Sequence, residues 1–230
     1  MSELYLVRHA QASFGADDYD QLSEMGHEQA RLLGQYFSRR GVTFDAFVVG
    51  DMKRHHQTLD GIATGMGIQI TDRSVFSGLN EYNFVDMTEA YGKFNGDDPL
   101  YQQVMAQPSD KRNFYRLLRQ ILSAWTADEI PGVPETWWDF KMRVAEAKEQ
   151  LQGLSKESHS VLAIGSGGSI STFVGLVLGI PDETVFDLNL QYKNTALSHF
   201  FFNQHRMHLT GFNNISHFDS NEMEHYITYG

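Results

Sequence analysis

The hydrophobic positions near the N-terminus have first the pattern of a buried strand and then the spacing of a helix. Residues 3–8, ELYLVR, form a short apolar run that is typical of a buried strand. A helix is predicted next, because Ser23 is a good N-cap, Gly41 is a good stop and the apolar residues between them recur at helical spacing. Those apolar residues are Ala30, Leu33, Tyr36 and Phe37. The pattern therefore predicts a strand followed by an amphipathic helix.

The following stretch repeats this order. Residues 44–49, FDAFVV, predict a second strand, and a helix is expected from about Lys53. A short third strand is expected near residues 68–71, IQIT. Strands connected in this way pair in parallel. The first third of the chain is thus predicted to be a βαβαβ unit.

The alternation is then interrupted and resumes later. Residues 82–134 contain turn signals such as NGDDP and EIPGVP, and we expect a small helical lid insertion there, with one helix near residues 111–125. All three tryptophans lie in or beside this stretch, and we expect them to pack a small subdomain. A helix over 135–154 leads into a strand, a glycine-serine turn and a helix over 160–180. Two strands around the turn 203–206 complete an α/β pattern.

Composition narrows the classes of protein and partner. A chain of 230 residues that is 41% hydrophobic is long enough for one α/β core, so we expect a single domain over 1–230. The formal charge of −11 argues against a nucleic-acid or anionic-membrane partner, and an anionic substrate would have to meet a locally positive pocket. The absence of cysteine excludes disulfides, a thiolate nucleophile and sulfur-ligated metals. The N-terminal segment resembles neither a signal peptide nor a spanning helix, which makes the cytoplasm the expected location.

Basic residues follow the first two predicted strands. Arg8 ends the first strand and His9 comes next, at the C-terminal strand edge where ligands bind in wound parallel sheets. From these two residues alone, a surface arginine beside a core histidine is the simpler interpretation. Arg54 follows the second strand by a few residues. Two guanidiniums meeting at one sheet edge would form a bidentate clamp for an oxyanion.

Three further residues near these strand ends invite a chemical interpretation. His55 and His56 are consecutive, and consecutive helix residues point apart and do not readily chelate one metal ion. We expect both to lie on a partly exposed helix face. Glu81 follows a further apolar segment and is a candidate acid for protonating a leaving group. The alternative for Glu81 is an ordinary loop carboxylate.

Ser166 lies between the predicted strand and helix of residues 160–180, and three interpretations are open for it. It could be a hydrolase nucleophile on a sharp elbow, although Ile164 is too bulky for the usual G-x-S-x-G turn. It could belong to an anion cradle with the backbone N–H groups of Gly167 and Gly168 at a helix N-terminus. It could also be a plain N-cap, which is the simplest interpretation of this segment by itself.

Six segments resemble, in chain order, motifs of the histidine phosphatase superfamily, the phosphoglycerate-mutase-like proteins. The family's opening R-H-G motif is similar to YLVRHAQAS, with Ala10 where glycine is usual, and its L-T-x-x-G-x-x-Q-A helix is similar to LSEMGHEQARLLG. Its S-P-L-x-R-x-x-Q-T motif is similar to GDMKRHHQT, which keeps the arginine and the Gln-Thr pair but has lost the serine and proline. LNEYNF sits where the family carries its acid, ETWWDFKMRV resembles the helix before the last catalytic strand, and FNNISHF resembles the closing N-x-x-H-L.

The resemblance implies a fold and a set of roles. It implies a three-layer α/β sandwich with a mostly parallel, mixed sheet. His9 would be the nucleophile, attacking phosphorus to give a phosphohistidine that water then cleaves. Arg8 and Arg54 would neutralise the phosphoryl oxygens, and Glu81 would protonate the leaving alcohol. No metal or other cofactor is implied, and the expected partner is a phosphorylated small molecule or another phosphoester.

The chain departs from the family at the end of the last catalytic strand. Family members normally read V-S-H-G-G there, whereas this chain has Ser166 in place of the second catalytic histidine, followed by Gly167. Loss of one oxyanion donor costs on the order of 10² to 10³ in rate unless a backbone amide or a water compensates. A phospho-ligand binding protein with impaired catalysis therefore stays open as an alternative. A serine hydrolase that uses Ser166 is a more remote one.

Overall fold

A mixed β-sheet runs through the middle of the molecule. The computed structural model describes residues 1–13, 20–108 and 110–229. The strands are β1 (Ser2–Arg8), β2 (Ala46–Val49), β3 (Ser74–Val75), β4 (Ser160–Gly165), β5 (Leu197–Phe202) and β6 (Met207–Asn214). Over these described ranges they form one sheet in the order β3-β2-β4-β1-β5-β6. Strands β3, β2, β4 and β1 are parallel, and β5 runs antiparallel to β1 and β6, which confirms the expected mostly parallel sheet.

Eight helices surround this sheet in the described ranges. They are α1 (Glu24–Arg39), α2 (Lys53–Met66), α3 (Phe84–Phe94), α4 (Pro99–Ala106), α5 (Lys111–Thr126), α6 (Trp137–Gly153), α7 (Gly167–Leu178) and α8 (Asp182–Leu190). Helix α1 begins as its sequence predicts, with the Gly26 N–H donating to the Ser23 side chain over 3.0 Å. The predictions of α2, α5, α6, α7 and the final hairpin are also confirmed.

Two features of the sequence pattern were misleading. The strand predicted near residues 68–71 is wrong: those residues form no strand, and the edge strand β3 is two residues long and begins at Ser74. Only β2 pairs with β3, so a two-residue exposed segment can serve as the edge. Helices α3, α4 and α8 were not predicted, because each is at most eleven residues long and carries too few buried positions to show a clear period.

The alternation of side chains along each central strand divides the core into two halves. On one face, Leu4 and Leu6 of β1 pack in a buried cluster with residues of α5, α6 and α7. On the other face, Val7 packs in a second cluster with residues of α1 and α2. Leu162 and Ile164 of β4 belong to the second cluster, and their neighbours Val161 and Ala163 belong to the first. This division confirms the three-layer α/β arrangement.

An aromatic cluster joins the first core half to the helices of residues 82–134. Trp125, Trp137 and Phe140 lie with their ring centroids 5.2–5.7 Å apart, and Tyr82 contacts Trp125 and Phe140. Trp125 is 1% exposed, whereas Trp138 is 67% exposed. Two of the three tryptophans therefore pack the interior, and the cluster fixes the chain immediately after Glu81.

Candidate active site

The C-terminal ends of β1 and β4 place two short loops side by side. Arg8, the last residue of β1, is in register with Gly165, the last residue of β4. His9 and Ser166 therefore leave the sheet at the same edge, and the His9 N–H donates to the Gly165 carbonyl over 2.9 Å. The first turn of α2 lies at this edge as well and carries Arg54.

His9 is held as a neutral imidazole with a defined tautomer. Its Nδ1 lies 2.8 Å from the Ala10 carbonyl, and that carbonyl can only accept, so the proton is on Nδ1. Arg54 Nε donates to His9 Nε2 over 3.2 Å, which requires a lone pair on Nε2. Burial lowers the pKa of His9 well below its ordinary value, and the charges of Arg54 and Arg8 lower it further. Nε2 is thus a nucleophilic nitrogen that faces a guanidinium.

Asp20 holds the Arg54 guanidinium, and two residues of the same motif hold the helix that carries Arg54. Asp20 Oδ1 accepts from Arg54 Nη1 over 2.7 Å. The Thr58 hydroxyl donates to the Arg54 carbonyl over 2.7 Å and accepts from the Ala10 N–H over 3.0 Å. Gln57 accepts from the Leu22 N–H over 2.8 Å. The Gln-Thr pair of the sequence motif therefore ties α2 to the chain that follows β1.

Arg8 reaches the site from the other side of β1. Its Nη1 donates to the Tyr192 carbonyl, and its side chain is 8% exposed. A Cβ on Gly167 would come within 3.3 Å of the Arg8 Cζ, so the guanidinium lies directly against the backbone at the start of α7. Because both arginines lower the pKa of His9, both charges lie near its ring. Neither Asp20 nor Tyr192 carries a sequence signal that would have marked it as part of this site.

Glu81 caps the N-terminus of α7. Both of its carboxylate oxygens accept from the Gly168 N–H, over 3.1 and 3.2 Å. Arg143 of α6 holds the Glu81 loop by donating to the Asn80 and Glu81 carbonyls over 3.0 and 3.2 Å. Glu135 in turn accepts from Arg143 over 2.6 and 3.1 Å. The ETWWDFKMRV segment therefore fixes the carboxylate that the sequence indicated as an acid.

Ser166 is the N-cap of α7, which confirms the simplest interpretation of its segment, and its side chain also contacts another helix. Its side chain is fully buried, and its Oγ lies 2.8 Å from His55 Nε2. The Ser166 N–H donates to the Leu79 carbonyl over 3.1 Å and to the Ser169 hydroxyl over 3.2 Å. Ser166 is therefore at the N-terminus of α7, but its hydroxyl is bound to a histidine of another helix.

The expectation that His55 lies on a partly exposed helix face is wrong. His55 is completely buried, whereas His56 is partly exposed as expected. The first turn of α2 faces the sheet edge, and Gly50 leaves room for the ring: a Cβ at Gly50 would lie 2.2 Å from His55 Nδ1. Sequence reasoning missed this because adjacent histidines give no clue to which of them faces inward.

A second set of polar residues supports the backbone of Arg8 and His9. The Thr195 N–H donates to the Arg8 carbonyl over 3.1 Å, and the Asn194 side chain donates to the His9 carbonyl over 3.2 Å. Thr195 has a φ of 55°, which is unusual for a β-branched residue. Its hydroxyl lies 2.9 Å from Nε2 of the buried His217, from the FNNISHF segment. Burial lowers the pKa of His217 to about 3.

Among residues 1–13, 20–108 and 110–229, no three His, Asp or Glu side chains are grouped so that they could hold a metal ion. None of the helices in those ranges combines the length and the apolar character needed to cross a bilayer.

Comparisons with known proteins agree with this geometry. The family model of the histidine phosphatase superfamily (branch 1) matches residues 4–215. A 2,3-bisphosphoglycerate-dependent phosphoglycerate mutase of Dichelobacter nodosus is 23% identical over 218 residues, which cover 83% of this chain and 84% of that protein.

Two solved structures illustrate the likeness of fold. A phosphoglycerate mutase of Bacillus anthracis aligns with a TM-score of 0.68 and 19% identity, over 94% of each chain. A phosphoserine phosphatase of Entamoeba histolytica, in complex with 3-phosphoglyceric acid, aligns with a TM-score of 0.63 and 19% identity, over 94% of this chain and 99% of that one. With the family model spanning nearly the whole sequence, the chain belongs to the histidine phosphatase superfamily.

Proposed function

We propose that this protein hydrolyses phosphomonoesters through a phosphohistidine formed on His9, in a reaction that needs no metal ion. The observation that carries the proposal is the geometry of the His9 ring. Its proton is held on Nδ1 by the Ala10 carbonyl, and its Nε2 lone pair faces Arg54. A neutral, oriented nitrogen beside a fixed positive charge is what attack on an anionic phosphoryl group requires.

The proposed reaction has two steps. In the first, the hydrogen bond from Arg54 Nε to His9 Nε2 breaks and the freed lone pair forms a bond to phosphorus, while Arg54 donates to the phosphoryl oxygens instead. The bond from phosphorus to the ester oxygen breaks, and Glu81 in its acid form gives its proton to the leaving alcohol. In the second, Glu81 as carboxylate takes a proton from water, whose oxygen attacks phosphorus. The phosphorus–Nε2 bond breaks, and inorganic phosphate leaves. Arg8 and Arg54 stabilise the charge on the phosphoryl oxygens in both steps.

The relatives support a phosphorylated small molecule as the substrate. The names of the protein from Dichelobacter nodosus and of the two structural neighbours are those of enzymes acting on phosphoglycerate or phosphoserine. Hydrolysis is favoured over transfer between two phosphate positions, because no basic cluster is assigned to a second phosphate. Lys93, Lys111 and Arg112 of the insertion are the candidates for that role.

The proposal is tested by turnover of p-nitrophenyl phosphate. We expect His9→Ala to reduce the rate to background, because no other nucleophile is proposed for the phosphoryl group. Ser166→Ala is expected to retain part of the activity. His208→Ala, at an exposed position on β6, is the matched control and should keep the wild-type rate. Turnover that persists in His9→Ala would contradict the proposal.

The phospho-ligand binding alternative is favoured by one observation. The Gly168 N–H at the start of α7 is bound to Glu81, and the Ser166 hydroxyl to His55. Both groups therefore have protein partners at the phosphate edge. A protein that binds vanadate with Arg54-dependent affinity but shows no His9-dependent turnover would belong to this class.

The serine hydrolase alternative gains a histidine but lacks an acid. His55 Nε2 is within hydrogen-bond distance of Ser166 Oγ, as in a nucleophilic pair. However, the Ser166 side chain is fully buried, and the other ring nitrogen of His55 faces Gly50 rather than a carboxylate. The histidine His217, which follows Ser166 in the chain, contacts Thr195 instead. Loss of turnover in Ser166→Ala together with an active His9→Ala would favour this class.

A further inference from the structure

The peptide between Ala10 and Gln11 connects the His9 ring to a buried glutamine. The Ala10 carbonyl and the Gln11 N–H belong to one planar peptide unit. The carbonyl lies 2.8 Å from His9 Nδ1, and the N–H donates to Gln29 Oε1 over 2.8 Å. Gln29 is the glutamine of the L-T-x-x-G-x-x-Q-A motif and is 0% exposed. It therefore fixes the plane of the peptide whose carbonyl holds the His9 proton on Nδ1.

A second buried amide holds the neighbouring peptide. Asn194 Nδ2 donates to the His9 carbonyl over 3.2 Å, and Asn194 is 1% exposed. The Ala10 N–H of the same peptide donates to the Thr58 hydroxyl over 3.0 Å. A side-chain amide holds a backbone group in only one of its two orientations, because its oxygen accepts and its nitrogen donates. The orientations of Gln29 and Asn194 thus decide whether the two peptides are held.

The hydroxyl of Thr228 connects these two amides. It accepts from Gln29 Nε2 over 2.7 Å and donates to Asn194 Oδ1 over 2.9 Å. Gln29 Nε2 also donates to the Tyr226 carbonyl over 2.8 Å. Each amide therefore turns towards residues 9–11 the end that their backbone requires, an oxygen from Gln29 and a nitrogen from Asn194.

We propose that Thr228 is a positioning residue for the nucleophile. This inference rests on the proposed function, in which His9 attacks phosphorus. The Thr228 hydroxyl sets the orientations of Gln29 and Asn194. These two amides in turn hold the peptides on both sides of Ala10. Without the hydroxyl, one buried amide loses an acceptor and the other loses a donor, so each can turn over. The Ala10 carbonyl then no longer confines the ring proton of His9 to Nδ1.

The segment that carries Thr228 follows residues 4–215, which the family model matches. Backbone and side-chain contacts hold this segment against the chain that precedes β5. The Asn194 N–H donates to the Thr228 carbonyl over 3.0 Å. Lys193 forms an isolated β-bridge with Tyr229, and its Nζ lies 5.7 Å from the centre of the Tyr229 ring. The connecting hydroxyl thus comes from a part of the chain that the family match does not include.

An isosteric substitution tests this role in the reaction. Thr228→Val keeps the shape of the side chain and removes its hydroxyl, so we expect kcat for p-nitrophenyl phosphate to fall about tenfold. The inhibition constant of inorganic phosphate should stay within about twofold, because Arg8 and Arg54 keep their places. Thr228→Ser keeps the hydroxyl and should keep most of the wild-type kcat. Thr126→Val is the matched control, since the Thr126 hydroxyl donates to carbonyls of its own helix.

Three kinetic results would overturn the proposal. The first is an unchanged kcat in Thr228→Val. The second is an equal loss of kcat in Thr228→Val and Thr228→Ser, which would show that the hydroxyl does not matter. The third is a loss of kcat that is matched by an equal weakening of phosphate inhibition, which would show a general loosening of the site.

NMR of His9 and Gln11 gives a test that does not depend on turnover. The His9 ring proton should be confined to Nδ1 in the wild type and in Thr228→Ser, and shared between Nδ1 and Nε2 in Thr228→Val. The Gln11 amide proton should exchange with solvent faster in Thr228→Val, relative to the amide protons of β1. If neither the tautomer nor the exchange changes in Thr228→Val, the proposal fails.

The wild-type protein alone supplies a further measurement, which does not require the variant to fold. Its Gln11 amide proton should be protected from exchange as well as those of β1. Free exchange of that proton would overturn the proposal, because Gln29 would then not hold the peptide. A wild-type protein without His9-dependent turnover would instead contradict the proposed function, and the tautomer and exchange measurements would still decide whether Thr228 holds residues 9–11.

Discussion

The two sides of His9, the proposed nucleophile, are built in different ways. On the side of β1 and α2, Arg54 contacts His9 directly, and motif residues such as Thr58 connect the two segments. On the side of β4 and α7, polar groups contact one another: Ser166 contacts His55, and Glu81 contacts Gly168. The first side keeps the family pattern in its sequence, whereas the second has Ser166 at the position of a histidine, in contact with a histidine of α2. The comparison teaches that the residues shared with the family motifs contact His9 directly, whereas the residue that departs from them contacts another helix.

The side of β1 and α2, which keeps the family pattern, should tolerate substitution less well than the side of β4 and α7. Arg54→Lys keeps the charge but loses the planar fork and the Nε donor to His9, so we expect kcat/KM to fall by about 10² to 10³. Steady-state kinetics on p-nitrophenyl phosphate measure this effect. Arg206→Ala, in the exposed turn between β5 and β6, is the control. If Arg54→Lys kept most of the wild-type kcat/KM, the direct contact would not matter for the reaction.

The side of β4 and α7 should depend on Arg143 of α6, which holds the loop that carries Glu81. Arg143→Ala removes the two hydrogen bonds that hold the carbonyls of Asn80 and Glu81, so the carboxylate of Glu81 moves from its place at α7. We expect kcat to fall by between about tenfold and a hundredfold. Arg119→Ala, which breaks a surface ion pair with Asp187, is the comparison and should change kcat little. An unchanged kcat in Arg143→Ala would show that Glu81 is held without it.

Much of the fold could be predicted from the sequence, because long amphipathic segments and buried strands carry clear periods. The site was only partly predictable. His9 and Arg54 follow predicted strands, so their meeting at one edge follows from parallel pairing. The Ser166–His55 contact depends on which of two adjacent histidines faces the sheet and on the space left by Gly50, and neither property shows in a hydrophobic pattern.

The buried histidines His9, His55 and His217 should make the fold sensitive to acid. Burial lowers the pKa of His217 to about 3, and it also lowers those of His9 and His55. Since the unfolded chain binds protons below pH 6.5 and the folded chain does not, stability is present above pH 6.5 and is lost as the pH falls from there. Each such histidine contributes about 1.4 kcal/mol per pH unit.

His217→Phe should therefore reduce the slope of the unfolding free energy against pH. Denaturant unfolding at several pH values between 7 and 5 measures that slope, which should average about 1 kcal/mol per unit less than in wild type over this range. The slope is the informative quantity, because loss of the contact with Thr195 shifts the stability at every pH. An unchanged slope would mean that His217 accepts a proton in the folded protein.

The most direct test of the account is to find where the phosphoryl group goes. The protein is mixed with excess p-nitrophenyl phosphate, quenched in base during turnover so that a phosphohistidine survives, and digested for mass spectrometry. The account predicts a base-stable, acid-labile phosphoryl group on the peptide that contains His9, and its absence in His9→Ala. A phosphoryl group on Ser166, or turnover by a His9→Ala protein, would contradict it.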